Sequence, residues 1–231
     1  DYAGSFGYSH LSYSIVDTTL AGGLGDLVPG SIGVPITSGL SEKMIAVASD
    51  HCSIWVLTHA KDFGEFYAYE ISSAGLNTTP VISTVGTFSG PEAYTIGMMK
   101  ASPDRRKIVC NSYIVGSIQG SELYDFDPAT GIVSNCQVLN TTAPFYGAEF
   151  SPDNTKLYSM DVTSSGALLA QYDITLPTTA AIIASRINVH SSPSLGTDLK
   201  LGPDGRIYTN APGGFTGQLD CITSPNTAGV A

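Results

Sequence analysis

The nine residues Phe150-Ser151-Pro152-Asp153-Asn154-Thr155-Lys156-Leu157-Tyr158 contain the pattern that decides the fold. Proline sets φ in a turn and the aspartate accepts a hydrogen bond from nearby backbone, so Ser-Pro-Asp predicts a type I turn. The residues around it alternate between apolar and polar, as they do on through Ser159 and Met160, which is typical of a half-buried strand. The stretch therefore predicts two strands joined by a tight turn.

The same turn recurs along the chain with a period near 50 residues. The other copies are Ala101-Ser102-Pro103-Asp104, Leu201-Gly202-Pro203-Asp204 and a degenerate Ser49-Asp50. A second motif, a tyrosine followed by an acidic residue or serine and an apolar residue, keeps the same phase. Its copies begin at Tyr69, Tyr124 and Tyr172, and outer copies lie at Tyr13–Asp17 and Leu219–Ile222. Two motifs with one period indicate a structural repeat.

Each repeat contains enough short apolar segments for four strands. The turn motif joins the first two strands, the tyrosine motif forms the third, and a fourth is predicted at Ile132-Val133-Ser134 and at Ile182-Ile183-Ala184. No stretch shows a sustained helical period of apolar residues. Four short strands in about 50 residues are typical of one blade of a β-propeller, which makes this an all-β protein.

The count of motifs gives about four and a half blades, which together form one propeller segment. Their predicted bounds are 1–36 (partial), 37–90, 91–141, 142–192 and 193–231. A blade buries its faces only against neighbours, so a propeller must close into a ring. We therefore expect the segment to belong to a larger ring of six to seven blades within a longer polypeptide. A five-bladed ring, closed by the two ends together, is the alternative.

Composition excludes several classes of function. The chain has 231 residues, with 10 Lys and Arg against 20 Asp and Glu, a net charge of −10. Such acidity argues against binding to nucleic acid, whose phosphates require clustered basic residues, and against docking on anionic lipid. No apolar run approaches the roughly 20 residues that cross a bilayer. The first residue is Asp1, so we expect a processed, truncated or partly observed chain.

The four cysteines leave two possibilities open. Cys52, Cys110, Cys136 and Cys221 are widely spaced, and none belongs to a C-x-x-C pair that would suggest zinc. They are either buried free thiols or include at least one disulfide, and spacing does not choose among the pairings.

Several stretches also resemble a known family. They include I-W-V-L-T-H (54–59), Y-D-F-D-P-A-T-G-I-V-S-N (124–135), Y-G-A-E-F-S-P-D-N-T-K-L-Y (146–158) and L-G-P-D-G-R-I-Y (201–208). They are similar to the WD-like propeller repeats at the N-terminus of large secreted Bacteroidota proteins, which often end in a gliding-motility-associated C-terminal domain. The resemblance implies export by type IX secretion and a place on the cell surface or in the extracellular matrix. It supplies no catalytic residues.

Candidate binding residues follow from the propeller geometry, in which first strands line a channel and one face of loops binds ligands. The second strands end at equivalent polar residues: His59, Asn111, Asp161 and Asn210. The predicted starts of the first strands add Glu42, Lys43, Tyr94, Tyr146 and Glu149. His190 is predicted in the loop before the last first strand. We expect these residues to form a polar rim around the channel mouth.

Each candidate also has a structural interpretation. Asn and Asp at strand ends commonly hydrogen-bond nearby backbone, and the recurrence of Asp125, Asp127 and Asp173 favours a turn-forming role. His59 and His190 belong to a residue type that binds metals or acts as a general base. Exposed aspartates are ligands that Ca²⁺ prefers, although no EF-hand spacing is present. The sequence therefore predicts no cofactor and leaves Ca²⁺ as the one metal still open.

The sequence thus predicts a non-catalytic surface or matrix module that binds a protein or glycan, supports adhesion or builds an extracellular assembly. Tyr146 is the best candidate for stacking on a sugar ring. The first alternative is a propeller enzyme, lactonase- or lyase-like, with a metal at the channel mouth. That alternative requires His59, Glu149, Asp161 or His190 to converge on one ion. The second alternative is a purely structural repeat.

Overall fold

The computed structural model describes residues 9–89, 96–113, 120–140, 145–163, 166–192, 198–210 and 219–229. Within these residues, four antiparallel sheets of three or more strands follow one another along the chain, and each corresponds to one repeat of the sequence. The predicted β-propeller architecture is confirmed. The sheets are called the first to fourth blades.

A short segment precedes the first blade. It contains β1 (Ser9–Tyr13), β2 (Val16–Asp17), the helical turn α1 (Leu20–Gly23) and β3 (Asp26–Leu27). Among the described residues of the partial blade predicted over 1–36, the only separate sheet is the two-stranded pair of β2 and β3. Strand β1 pairs instead with 34–40, the leading half of the next strand, while β2 and β3 pair only with each other. Pairing with β1 satisfies backbone groups that would otherwise form an open edge.

The first blade contains five strands. They are β4 (Val34–Ala48), β5 (Ile54–Ala60), β6 (Phe63–Ser72), the short β7 (Gly75–Leu76) and β8 (Val81–Ser89). Strand β4 begins eight residues before Glu42, because its leading half pairs with β1. Glu42 and Lys43 therefore lie within a long strand and not at the start of a first strand as predicted.

The second and third blades each have four strands. The second has β9 (Met99–Ala101), β10 (Lys107–Ser112), β11 (Gly120–Asp127) and β12 (Ile132–Asn140). The third has β13 (Phe145–Phe150), β14 (Lys156–Thr163), β15 (Gly166–Asp173), the helix α2 (Thr179–Ala184) and β16 (Ile187–Ser192). The fourth blade has β17 (Leu199–Leu201), β18 (Ile207–Asn210) and β19 (Leu219–Ile222) within the described residues.

Helix α2 corrects one predicted strand. Residues 182–184 were predicted as the fourth strand of the third blade, but they lie in the helix. The Thr178 hydroxyl accepts a hydrogen bond from the Ala181 amide at 3.2 Å and caps the helix N-terminus. Ile182 is buried against the core between the second and third blades. The fourth strand is consequently displaced to β16.

The Ser-Pro-Asp turns form as predicted and have one chemistry. The Ser102 hydroxyl accepts a hydrogen bond from the Lys107 amide at 2.9 Å and donates one to the Asp104 carboxylate at 2.5 Å. In the third blade, Ser151 makes the same two bonds, to the Lys156 amide at 2.8 Å and to the Asp153 carboxylate at 2.7 Å. The recurring aspartates fit the structural interpretation as well, since Asp127 and Asp173 each accept bonds from the backbone and side chain of their own turns.

Apolar cores lie between successive blades. The first core joins the first and second blades around Leu57, Phe66, Ile108 and Tyr124. The second joins the second and third blades around Val109, Phe150 and Leu157, and the third joins the last two blades around Tyr158 and Ile207. All four cysteines are free thiols; Cys110 is buried and Cys52 is exposed. Among the described residues, no helix is long and apolar enough to cross a membrane.

Candidate functional site

One end of the blades holds most of the predicted binding residues. Phe145 pairs with Asp161 and Leu199 with Thr209, so each first strand begins beside the end of its second strand. This end of the propeller is called the mouth. His59, Asn111 and Asp161 lie one or two residues before the ends of β5, β10 and β14, and Asn210 ends β18. The Asn210 side chain and all of Tyr94 lie outside the described residues.

His59 is enclosed in the interface between the first two blades. Its side chain is fully buried, and Nδ1 donates a hydrogen bond to the Ala60 carbonyl oxygen at 2.7 Å. The ring contacts Phe66 edge-to-face, with 4.5 Å between ring centroids. Burial, aided by the nearby positive charge of Lys43, lowers the pKa of His59 to about 3. The imidazole is therefore neutral at physiological pH.

Asn111 connects the second blade to the third. Its Nδ2 donates hydrogen bonds to the Tyr146 carbonyl at 3.2 Å, the Gly147 carbonyl at 3.1 Å and the Ser159 hydroxyl at 2.9 Å. The backbone approaches closely here as well, since a Cβ at Gly97 would lie 2.0 Å from the Asn111 carbonyl oxygen. These bonds hold the start of β13, and with it the backbone of Tyr146, in place.

Asp161 and Glu149 are buried and each contacts a neighbouring segment. Asp161 forms an ion pair with Arg186, whose Nε also donates to the Tyr172 hydroxyl at 3.2 Å. The Glu149 carboxylate accepts hydrogen bonds from the Leu201 amide of the fourth blade at 3.0 Å and from the amide after its own residue. Burial raises the pKa of both carboxyl groups. Glu149 thus joins the third blade to the fourth, whereas the ion pair of Asp161 lies within the third blade.

Tyr146 has a more open setting. Its ring contacts that of Tyr113 edge-to-face, with centroids 6.0 Å apart, and both side chains are half-buried. Burial, followed by the negative charges of Glu42 and Asp198, raises the pKa of Tyr146. The two rings contact each other, and the charges of Glu42 and Asp198 act on the Tyr146 phenol, so this region draws on all four blades. Glu42, Tyr113, Tyr146 and Asp198 are called the mouth cluster.

Backbone contacts of the two acids and a neighbouring lysine fix this cluster. The Glu42 carboxylate accepts a hydrogen bond from the Gly97 amide at 2.8 Å. Lys100 Nζ lies 3.2 Å from the Asp198 carboxylate and donates to the Leu199 carbonyl at 3.1 Å. Tyr113, Lys100 and Asp198 were not among the residues predicted from the sequence. Tyr113 lies two residues beyond Asn111, which was predicted at the mouth, so its position in the sequence already indicated that it lies near the same end of the blade.

His190 is not in the loop where it was predicted. It lies in β16, the outermost strand of the third blade, and pairs with Leu169. Its side chain is exposed. The displacement follows from helix α2, which takes the residues that were predicted as the fourth strand. His190 is thereby separated from the first strands and from the mouth cluster.

Lys43 and Glu122 form a second buried group of charged residues, of which only Lys43 was predicted at the mouth. Lys43 is almost fully buried, and its Nζ donates to the Ile96 carbonyl at 3.2 Å. Burial lowers the pKa of Lys43, while the charges of Cys110, Glu42 and Glu122 act in the opposite direction. The fully buried Glu122 carboxylate accepts bonds from the Thr87 amide and hydroxyl and from the Tyr124 hydroxyl at 2.6 Å. Among the residues described, no three His, Cys, Asp or Glu are arranged to hold a metal ion.

No family model and no curated protein matches the chain. Solved structures do. A TolB candidate from Agrobacterium tumefaciens aligns with a TM-score of 0.50 and 15% identity over 81% of this chain and 59% of its own. A 6-phosphogluconolactonase candidate from Bacteroides fragilis aligns with a TM-score of 0.52 and 13% identity, over 78% of this chain and 49% of its own.

A third similar structure is the nidogen–laminin complex, with a TM-score of 0.50 and 13% identity over 96% of this chain and 76% of the other. The chain spans about half to three-fifths of the length of the TolB and lactonase candidates. At such low identity these likenesses show the fold alone. The protein is a β-propeller, and its function has to be argued from its own residues.

Proposed function

We propose that this protein is a non-catalytic propeller module that binds a glycan, free or carried by a protein, at the mouth cluster. The observation that carries the proposal is the half-buried Tyr113–Tyr146 ring pair at the mouth. The negative charges of Glu42 and Asp198 act on Tyr146 and raise its pKa. Aromatic rings offer a flat apolar face to a sugar ring, and carboxylates accept hydrogen bonds from sugar hydroxyls. An extracellular site of action rests on the family resemblance.

The geometry favours binding over metal-assisted catalysis. The enzyme alternative needed His59, Glu149, Asp161 or His190 to converge on one ion. His59 is buried beside Lys43, Asp161 pairs with Arg186, and Glu149 accepts two backbone amides. Each of these three side chains is buried and has partners within the protein. Metal analysis and a lactonase assay on the purified protein test this alternative directly, and a stoichiometric metal or turnover would favour it.

The test of the proposal is glycan binding with tyrosine variants. Oligosaccharide arrays select a probe, and calorimetry then measures its affinity for the wild-type protein and for Tyr146→Ala and Tyr146→Phe. We expect the alanine variant to bind at least about tenfold more weakly, or about 1.4 kcal/mol, because the stacking surface is lost. The phenylalanine variant keeps the ring and should stay within about threefold.

Tyr208→Ala is the matched control, since Tyr208 contacts the Asp204 turn of the fourth blade and lies outside the mouth cluster. It should leave the affinity unchanged. If no oligosaccharide binds, or if all three variants bind equally well, the mouth cluster is not a glycan site. The purely structural alternative would then gain support.

A further inference from the structure

The three interfaces between blades use equivalent positions in each repeat, and the first blade leaves one such position uncovered. The first apolar residue of the second strand is Ile108, Leu157 or Ile207, and all three are fully buried against the preceding blade. The equivalent residue of the first blade is Ile54, which begins β5 and is 46% exposed. The equivalent side chain of the first blade is therefore covered only in part.

The third strand repeats the comparison independently. The residues that pair with Ile108, Leu157 and Ile207 are Tyr124, Tyr172 and Ile222, and each is buried in a blade interface. The equivalent residue of the first blade is Ile71, which pairs with Ile54 across the two strands and is 40% exposed. Two neighbouring positions on one face of the first blade are thus open where three other blades have them covered.

Further apolar side chains extend this open face. Strand pairing places Met44 opposite Thr58 and Ile82 opposite Tyr67, on the same side of the sheet as Ile54. Met44 is 60% exposed and Ile82 is 58% exposed. The set Met44, Ile54, Ile71 and Ile82 is called the uncovered face. Large apolar side chains exposed on one side of a sheet mark an interaction site.

The turns between first and second strands point to a blade as the missing neighbour. In the second and third blades, the left-handed turn residue contacts the preceding blade: Arg105 donates to the Ser49 carbonyl, and Asn154 accepts from the Asp104 amide. In the first blade the left-handed turn residue is Cys52, with φ of 58°, and it is exposed. Cys52 therefore lies where the turn of a preceding blade would be contacted.

The segment before the first blade carries part of another repeat. Tyr13–Asp17 matches the third-strand motif, one period before Tyr69. Ile15, Val16 and Ile32 in this segment are exposed, although they are large and apolar. Apolar residues in the phase of the repeat, without a blade to cover them, fit a repeat of which only a part is present.

We infer that the uncovered face packs against a further propeller blade of the same polypeptide, one to which the Tyr13–Asp17 motif contributes. Two of the three existing interfaces share a contact that such a blade would also make. Trp55 Nε1 donates to the Pro128 carbonyl of the next blade at 2.9 Å, and the Tyr158 hydroxyl donates to the Pro225 carbonyl at 2.9 Å. The further blade is expected to carry an aromatic hydrogen-bond donor at the position in its second strand that matches Trp55 and Tyr158. This donor would face the turn after β6.

Thiol labelling of Cys52 tests the inference, because the residue is exposed and lies at the edge of the uncovered face. The native polypeptide is isolated from its source and its mass and sequence are determined. A maleimide probe is then reacted with this polypeptide and with the 231-residue chain, using Cys52→Ser to identify the site. We expect additional repeats in the native polypeptide and labelling of Cys52 at least about tenfold slower than in the 231-residue chain.

Ile54→Asn and Ile108→Asn provide a second, matched measurement. Ile54→Asn should leave the thermal midpoint of the 231-residue chain unchanged and lower that of the longer polypeptide as much as Ile108→Asn does. Three results would each overturn the inference: a native chain without further repeats, equal labelling of Cys52 in both proteins, or a dimer of the 231-residue chain in which Cys52 is protected. The last result would assign the face to a second copy.

Discussion

The interface between the first and second blades differs in chemistry from the interface between the second and third. The former encloses Lys43, His59 and Glu122, all of them buried. The latter is an apolar core around Val109, Phe150 and Leu157. The ion pair of Asp161 with Arg186 lies within the third blade, and the arginine side chain is 26% exposed. One backbone repeat thus supports both a charged and an apolar contact between blades.

This difference predicts how the stability of each interface responds to pH, salt and substitution. An apolar interface depends on area and shape, which change little with pH or salt. A buried charge depends on its partners, and removing one partner leaves the others desolvated without compensation. The first interface should therefore respond to single polar substitutions and to pH, whereas the second should respond mainly to changes of volume.

Glu122→Ala is expected to have the largest effect. The substitution removes the acceptor of the Thr87 amide, the Thr87 hydroxyl and the Tyr124 hydroxyl, and a negative charge near Lys43. We expect the free energy of unfolding to fall by about 4 kcal/mol, measured by urea denaturation. Glu122→Gln keeps one acceptor oxygen and should recover part of the loss. An alanine variant as stable as wild type would show that the charged interface adds nothing.

Leu157→Ala is the corresponding change in the apolar interface. Leu157 is fully buried among Val109, Phe150 and Tyr172, so truncation removes apolar contacts and leaves a cavity. The expected loss is about 3 kcal/mol in the same denaturation experiment. The loss should be the same at pH 5 and pH 7, because no charged group is altered. A strong dependence on pH would mean that the two interfaces are not distinct.

Much of this architecture was predictable from sequence, because the Ser-Pro-Asp turns and the tyrosine motif act locally. Pro103 and Asp104 determine their own turn whatever surrounds them. Helix α2 was not predictable in this way, since six residues are too few for a helical period and the capping by Thr178 resembles an ordinary loop. The displacement of His190 followed from that miss.

The candidate site was predictable only in part, for a different reason. The ends of β5, β10 and β14 follow from the repeat, but the burial of His59, Asn111 and Asp161 depends on neighbouring blades. Sequence position alone does not tell a side chain that faces the channel from one that lies between blades. The mouth cluster likewise joins residues from all four blades, which no local pattern relates.

The pH dependence of stability sharpens the comparison through His59. Its pKa is lowered to about 3 in the folded protein, so the unfolded chain binds the proton more readily. Stability is therefore lost as pH falls below about 6.5, the ordinary value, and the loss continues toward the folded pKa. Between pH 6.5 and pH 5, this group should lower the free energy of unfolding by about 2 kcal/mol.

His59→Asn isolates that contribution. The asparagine amide is able to donate to the Ala60 carbonyl as Nδ1 does, but it does not titrate. Asp161 and Glu149 have raised pKa values and act in the opposite direction, and they are present in both proteins. The difference between wild type and variant should therefore shrink as pH falls. A constant difference from pH 7 to pH 5 would show that His59 is not the titrating group.

The smallest expected effect concerns the turns, where the same contrast of charged and neutral contacts recurs at the surface. Arg105 reaches the first blade through the Ala48 and Ser49 carbonyls and lies 3.1 Å from the Asp50 carboxylate. Asn154 reaches the second blade through a neutral bond from the Asp104 amide at 2.9 Å. We expect Arg105→Ala and Asn154→Ala each to lower the free energy of unfolding by about 1 kcal/mol at low salt.

Salt separates the two variants. At about 1 M salt the Debye length falls to about 3 Å, so the attraction between Arg105 and Asp50 is screened and the cost of Arg105→Ala should drop by about half. The cost of Asn154→Ala should stay the same, because its hydrogen bond involves no charge and the strain of the left-handed backbone does not depend on salt. Equal salt dependence of the two variants would mean that the Arg105–Asp50 ion pair adds no electrostatic stability, so that only the buried charges of the first interface contribute. A salt dependence confined to Arg105→Ala would show that charges also stabilise the contact between the first two blades at the surface turns.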